Sequence, residues 1–171
     1  AHYATTEVAA VFRSPEMNYP FNQIHVGANC TDPNGKALVD FSSMNQDSYI
    51  AFGSAGGNRS FSYALIDIVG HELGHILLYD QFNRTSNTDN SRAMDEGLCD
   101  IIGTFVESKI EEEGVDWVMA DNQASGSVIP ERDLQNPEYS CVHEIEGIDP
   151  GAVNDRSLPL GHWFYLIAEG V

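Results

Sequence analysis

Phe61-Ser62-Tyr63-Ala64-Leu65-Ile66-Asp67-Ile68-Val69-Gly70-His71-Glu72-Leu73-Gly74-His75-Ile76-Leu77-Leu78-Tyr79 is the stretch around which the chain is organised. Leu65, Ile66, Ile68, Val69, Leu73, Ile76, Leu77 and Leu78 make it apolar nearly all round, which predicts a mostly buried helix. Ser60 or Ser62 is placed to cap it. Within it, His71 and His75 stand four residues apart, about one helical turn, so both imidazoles leave one face and can share a metal ion. Glu72 lies beside them and can take the proton of a metal-activated water as that water attacks a carbonyl. Buried, His71, Glu72, His75 and Asp67 all need partners or a metal, because an uncompensated polar group in a core is costly.

Two histidines leave a catalytic zinc one protein ligand short. The run from about Arg92 to Glu113 reads as the next helix, with Met94, Leu98, Ile101, Ile102, Phe105, Val106 and Ile110 on its apolar side. It carries Met94-Asp95-Glu96-Gly97-Leu98-Cys99-Asp100. In an antiparallel helix pair Glu96 reaches the metal, and Asp100, one turn later, can accept the free ring N–H of a ligating histidine and fix its tautomer.

Before these helices, small and apolar residues at helical spacing from His2 to Phe12 predict a helix that stops ahead of Ser14-Pro15. Gln23–Ala28, Ala37–Phe41 and Tyr49–Phe52 read as short strands separated by turn residues, which implies a small antiparallel or mixed sheet. Residues 80–91 read as a polar loop, and 114–156, broken repeatedly by glycine and proline, as a loop-rich acidic region. A last helix is expected from Leu158 to about Glu169, opened by Pro159.

The 171 residues, 42% of them hydrophobic, suffice for one domain with a sizeable core. A net charge of -18 argues against nucleic acid or an anionic membrane surface as partner. No apolar run approaches the roughly 20 residues of a membrane span, and no secretory leader is present in the sequence. Cys30, Cys99 and Cys141, odd in number and far apart, read as buried or free thiols rather than a disulfide framework.

Through His71-Glu72-Leu73-Gly74-His75 and Asp95-Glu96-Gly97-Leu98-Cys99-Asp100, continuing into Ile101-Ile102-Gly103-Thr104-Phe105-Val106-Glu107, the chain resembles the thermolysin family of metallopeptidases. The resemblance covers residues 60–110 well and Asp149 to Ala168 more weakly. It implies an α+β, zincin-like fold: a sheet-bearing lobe, residues 1–80, ending in the active-site helix, then a mainly helical lobe, residues 81–171. These form one catalytic domain, expected to be incomplete at both ends.

The implied activity is secreted zinc endopeptidase, acting on peptides or proteins with apolar side chains on the carboxyl side of the cut. His71, His75 and Glu96 would hold zinc, Glu72 would be the general base, Asp100 would orient His71, and Arg132 would support the substrate side of the cleft. Calcium is implied at Asp67, Glu107, Asp116 and Asp121, although Val118 and Asn122 stand where further acids are expected. Asp149 matches an active-site aspartate, but the position of the family's transition-state histidine is Asn154. Asparagine donates a hydrogen bond without becoming cationic, so the alternative to a working enzyme is a zinc-binding pseudo-peptidase or peptide-binding fragment. Another HExxH enzyme, such as an aminopeptidase, is a third option.

Overall fold

The structure, a computed structural model, describes residues 2–19, 21, 23–30, 37–40, 47–53, 64–82, 88–111, 114–120 and 132–171. In chain order they form α1 (His2–Phe12), β1 (Gln23–Cys30), β2 (Ala37–Asp40), β3 (Asp47–Gly53), α2 (Ile66–Phe82), α3 (Asp89–Glu111), β4 (Val118–Met119), β5 (Arg132–Asp133), a 3-10 turn (Val142–Ile145) and α4 (Val153–Glu169). This is a mixed α+β arrangement.

The first sheet is mixed, as the strand pattern suggests. β3 lies in the middle, parallel to β1 and antiparallel to β2, so Ile50 is opposite both Val26 and Val39. Ile50 and Phe52, two residues apart on β3, are buried in the main core. α1 adds Ala4, Val8 and Phe12 at one-turn intervals, and the Phe12, Tyr19 and Phe21 rings meet at centroid distances of 4.8–6.5 Å. Ile68, Val69, Leu73 and Ile76 of α2 and Val106 of α3 complete this core. α2 is thereby held between the sheet-side residues and α3.

α2 and α3 approach closely because their contact is lined by small residues. A Cβ added to Gly70 would lie 3.0 Å from Gly103 Cα, and one added to Gly103 would lie 2.5 Å from the Asp67 carbonyl oxygen. Only glycine permits that backbone approach. On another side of α3, a Cβ at Gly97 would meet Leu160 and the Ser157 carbonyl, which is how α4 docks. A smaller core of Trp117, Leu134 and Leu158 sits beneath α4.

Several boundaries differ from the sequence reading. α2 starts at Ile66 rather than Phe61 and runs on to Phe82; Ala64 and Leu65 are not helical, and residues 60–63, with both capping serines, lie outside the described residues. The apolar run beginning at Phe61 signals burial, not conformation, so it extends the expected helix too far upstream. α3 starts at Asp89, because Thr88 Oγ1 accepts the Ser91 N–H at 3.2 Å and caps the helix within the stretch read as loop. α4 starts at Val153, leaving Pro159 inside it. An internal proline costs a backbone hydrogen bond, and the close packing of Ser157, Leu158, Pro159 and Gly161 offsets that loss. Within residues 114–156, β4 and β5 pair through Val118–Asp133 and Met119–Arg132, strands too short for a sequence pattern.

Candidate metal centre

The close crossing of α2 and α3 faces His71, Glu72 and His75 toward Glu96, Cys99 and Asp100. The two imidazoles meet edge to face, with centroids 4.8 Å apart. Their Nε2 atoms both address the Glu96 carboxylate: His71 Nε2 is 3.3 Å from Oε2, and His75 Nε2 is 3.6 Å from Oε1. Two ligands bound tetrahedrally at the usual zinc distances stand about 3.3 Å apart. One donor atom from each of His71, His75 and Glu96 lies within 4.8 Å of the others, and this is the one such group of three among the described residues. The donors fit a metal ion, and the group could hold one.

Behind the ligands, His71 Nδ1 is 2.8 Å from Asp100 Oδ1, and the same oxygen accepts from Arg132 Nη2 at 2.7 Å. Asp100 is fully buried. Arg132, expected at the substrate side of a cleft, is brought by β5 to brace this carboxylate. His75 Nδ1 is 3.2 Å from the buried Cys99 sulfur. The sequence reading missed that contact, though a signal existed: Glu96, Cys99, Asp100 and Gly103 fall at i, i+3, i+4 and i+7, one helical face.

Without metal, the site is strongly polarised. Burial opposes charge on His71, but the Asp100 and Glu96 carboxylates outweigh it and raise its pKa to about 10. Burial and the neighbouring His71 lower His75 to about 4. Glu72 is raised to about 7, chiefly by burial, with Glu96 adding to the shift. Burial opposes ionisation of Asp100 as well, yet Arg132 and His71 hold it below the ordinary carboxylate range. Burial, then the surrounding carboxylates, push the Cys99 thiol well up, so it is present as S–H. One face thus combines three donors that could hold a metal ion with a carboxylate whose pKa burial raises to about 7.

Neither models of protein families nor curated protein sequences match the chain.

The remaining expected site residues lie elsewhere. Asp67 Oδ1 accepts the Ile68 N–H at 2.7 Å, and Oδ2 accepts the Ala120 N–H, tying α2 to the end of β4. Glu107 is buried, and Asp116 Oδ1 accepts the Val118 N–H at 2.9 Å. Asp67, Glu107 and Asp116 do not form a three-ligand group of the kind seen at Glu96, and Asp121 lies outside the described residues. Asp149 is exposed and accepts the Gly151 N–H at 2.8 Å. Asn154 is exposed on the first turn of α4, and its carbonyl accepts from Ser157 Oγ. No hydrogen bond joins either residue to His71, Glu72, His75 or Glu96. His162 Nδ1 pairs with the Leu134 carbonyl at 3.0 Å, and His143 is exposed beside Glu146.

Proposed function

We propose that the chain is a zinc-dependent endopeptidase with a zincin-like, thermolysin-type site. The observation that carries this reading is the HExxH face of α2 opposed by Glu96, with Asp100 hydrogen-bonded to His71. Two imidazoles and one carboxylate form a donor set suited to catalytic zinc, and three protein ligands leave a coordination position for water or substrate. Zinc bound there supplies Lewis acidity and makes a water nucleophilic near neutral pH. Glu72 is the one acid of the HExxH motif and stands beside both histidines as the candidate general base; in the metal-free site burial raises its pKa to about 7. Asp100 holds the His71 ring, and Arg132 holds Asp100.

The substrates are peptides or proteins cut at internal bonds. Zinc-replete protein is expected to cleave an N-terminally blocked peptide, to lose that activity to a chelator, and to lose it in Glu72→Gln. No chelator-sensitive cleavage by the zinc-loaded protein would refute the reading, and cleavage confined to unblocked peptides would indicate an aminopeptidase.

A second reading is a zinc-binding protein with impaired turnover: the resemblance to the thermolysin family places a transition-state histidine where this chain has Asn154, which is exposed. Missing oxyanion stabilisation of that kind costs about 10²- to 10³-fold in turnover. If zinc binds stoichiometrically, native protein is inactive, and Asn154→His cleaves the blocked peptide, the second reading replaces the first.

A further inference from the structure

The two histidines of the metal group are held from behind by chemically different partners. His71 Nδ1 faces a carboxylate at 2.8 Å that is itself bridged to Arg132. His75 Nδ1 faces a neutral sulfur at 3.2 Å. That contact is short for sulfur, whose hydrogen bonds run longer than those of oxygen. Cys99 is fully buried and is not among the three grouped donors, so its sulfur stands behind the imidazole rather than beside the metal.

The sulfur lies against the bare backbone of Gly74. A Cβ on Gly74 would lie 3.3 Å from Cys99 Sγ, so the absence of a side chain at Gly74 opens the slot through which the sulfur reaches the next residue, His75. At the same time His75 Nε2 is directed to Glu96 Oε1. An imidazole that ligates through Nε2 carries its proton on Nδ1, and the atom facing Nδ1 must accept it.

We propose that Cys99 is a positioning residue for His75: its sulfur accepts the Nδ1–H and selects the tautomer that presents Nε2 to the metal. The inference rests on the zinc reading above and adds an asymmetry to it. His71 is fixed by a charge-assisted hydrogen bond, whereas His75 is fixed by a weak, neutral acceptor.

Zinc affinity measured by competition with a chelator of known strength, together with melting of the metal-free protein, tests this in native, Cys99→Ser and Cys99→Ala chains. Cys99→Ala is expected to bind zinc about tenfold more weakly, because removing a ligand's supporting hydrogen bond costs about 10- to 100-fold, and to melt lower without metal, because Cys99 is fully buried. Cys99→Ser, which keeps an acceptor, is expected to stay within about threefold of native. Equal affinity of native and Cys99→Ala overturns the inference, as does a loss in Cys99→Ser as large as in Cys99→Ala, which would assign the effect to packing.

Ring-nitrogen NMR spectra of the zinc-loaded native and Cys99→Ala proteins give a second readout: a His75 Nδ1–H resonance that moves in Cys99→Ala supports the inference, and a proton on Nε2, or an Nδ1–H resonance that does not move, overturns it. Failure of the native chain to take up zinc at all would instead refute the metal reading on which the inference stands.

Discussion

The crossing of α2 and α3 and the segment leading into α4 both carry residues that the proposed peptidase reading assigns to one site, yet they are built in opposite ways. At the crossing, glycines let two backbones touch, His71, Glu72, Cys99 and Asp100 are buried, and Asp100 is hydrogen-bonded to both His71 and Arg132. At the start of α4, Asp149 and Asn154 are exposed, and their hydrogen bonds are local ones. On the proposed reading, the three metal donors are thus set into the α2–α3 crossing, where changing them alters stability, whereas the positions that the thermolysin resemblance assigns to transition-state stabilisation lie on the surface.

Asp100→Ala should show the contrast most strongly. It removes the carboxylate shared by His71 and Arg132, leaving buried charge uncompensated, and is expected to cost about 3–5 kcal/mol in chemical denaturation of the metal-free protein. An effect below about 1 kcal/mol would show that the crossing is not held by this network.

Glu72→Gln should act in the opposite direction. In the fold, the Glu72 pKa is raised from 4.5 to about 7, so the folded chain retains a proton that the unfolded chain has released. Stability from this group therefore falls as pH rises from 4.5 to about 7 and stays low above it. Metal-free Glu72→Gln, which cannot ionise, should exceed native stability by up to about 3 kcal/mol at pH 8 and match it below pH 4.5. Denaturation curves at both pH values check this. A gain confined to the acid side would mean that the sign is wrong.

Gly103→Ala inserts a Cβ 2.5 Å from the Asp67 carbonyl and should force α2 and α3 apart at about 1–3 kcal/mol. Weaker zinc binding should accompany that loss, since Glu96 is carried on α3. By contrast, Asp149→Ala and Asn154→Ala should each change stability by less than about 0.5 kcal/mol, because both side chains are exposed. Larger thermal shifts there would erase the distinction between the two regions.

Much of the crossing was legible in the sequence because burial and helical spacing act together there. The apolar surroundings of His71-Glu72-Leu73-Gly74-His75 required partners for its polar groups, and Glu96 and Asp100 were the acids at suitable spacing on the next helix. The partner of His75 escaped notice because a buried cysteine reads first as a packing residue. Its role depends on which way one sulfur points, and that follows from Gly74. Arg132 reached Asp100 through the β4–β5 pair, whose two-residue strands leave no periodic signal. Pro159 was read as a helix start because local propensity favours that position, but tertiary packing against α3 outweighed it. The onset of α2 differs for a related reason, since Ala64 and Leu65 share the apolar composition of the helix but precede its first helical residue, Ile66.

Zinc stoichiometry in the purified native, Glu96→Ala and Asn154→Ala chains, each dialysed against metal-free buffer after loading, tests the central claim most directly. The account predicts one zinc per chain in native and Asn154→Ala, and loss of the retained ion in Glu96→Ala. Full retention by Glu96→Ala, or no retained zinc in the native chain, would contradict it.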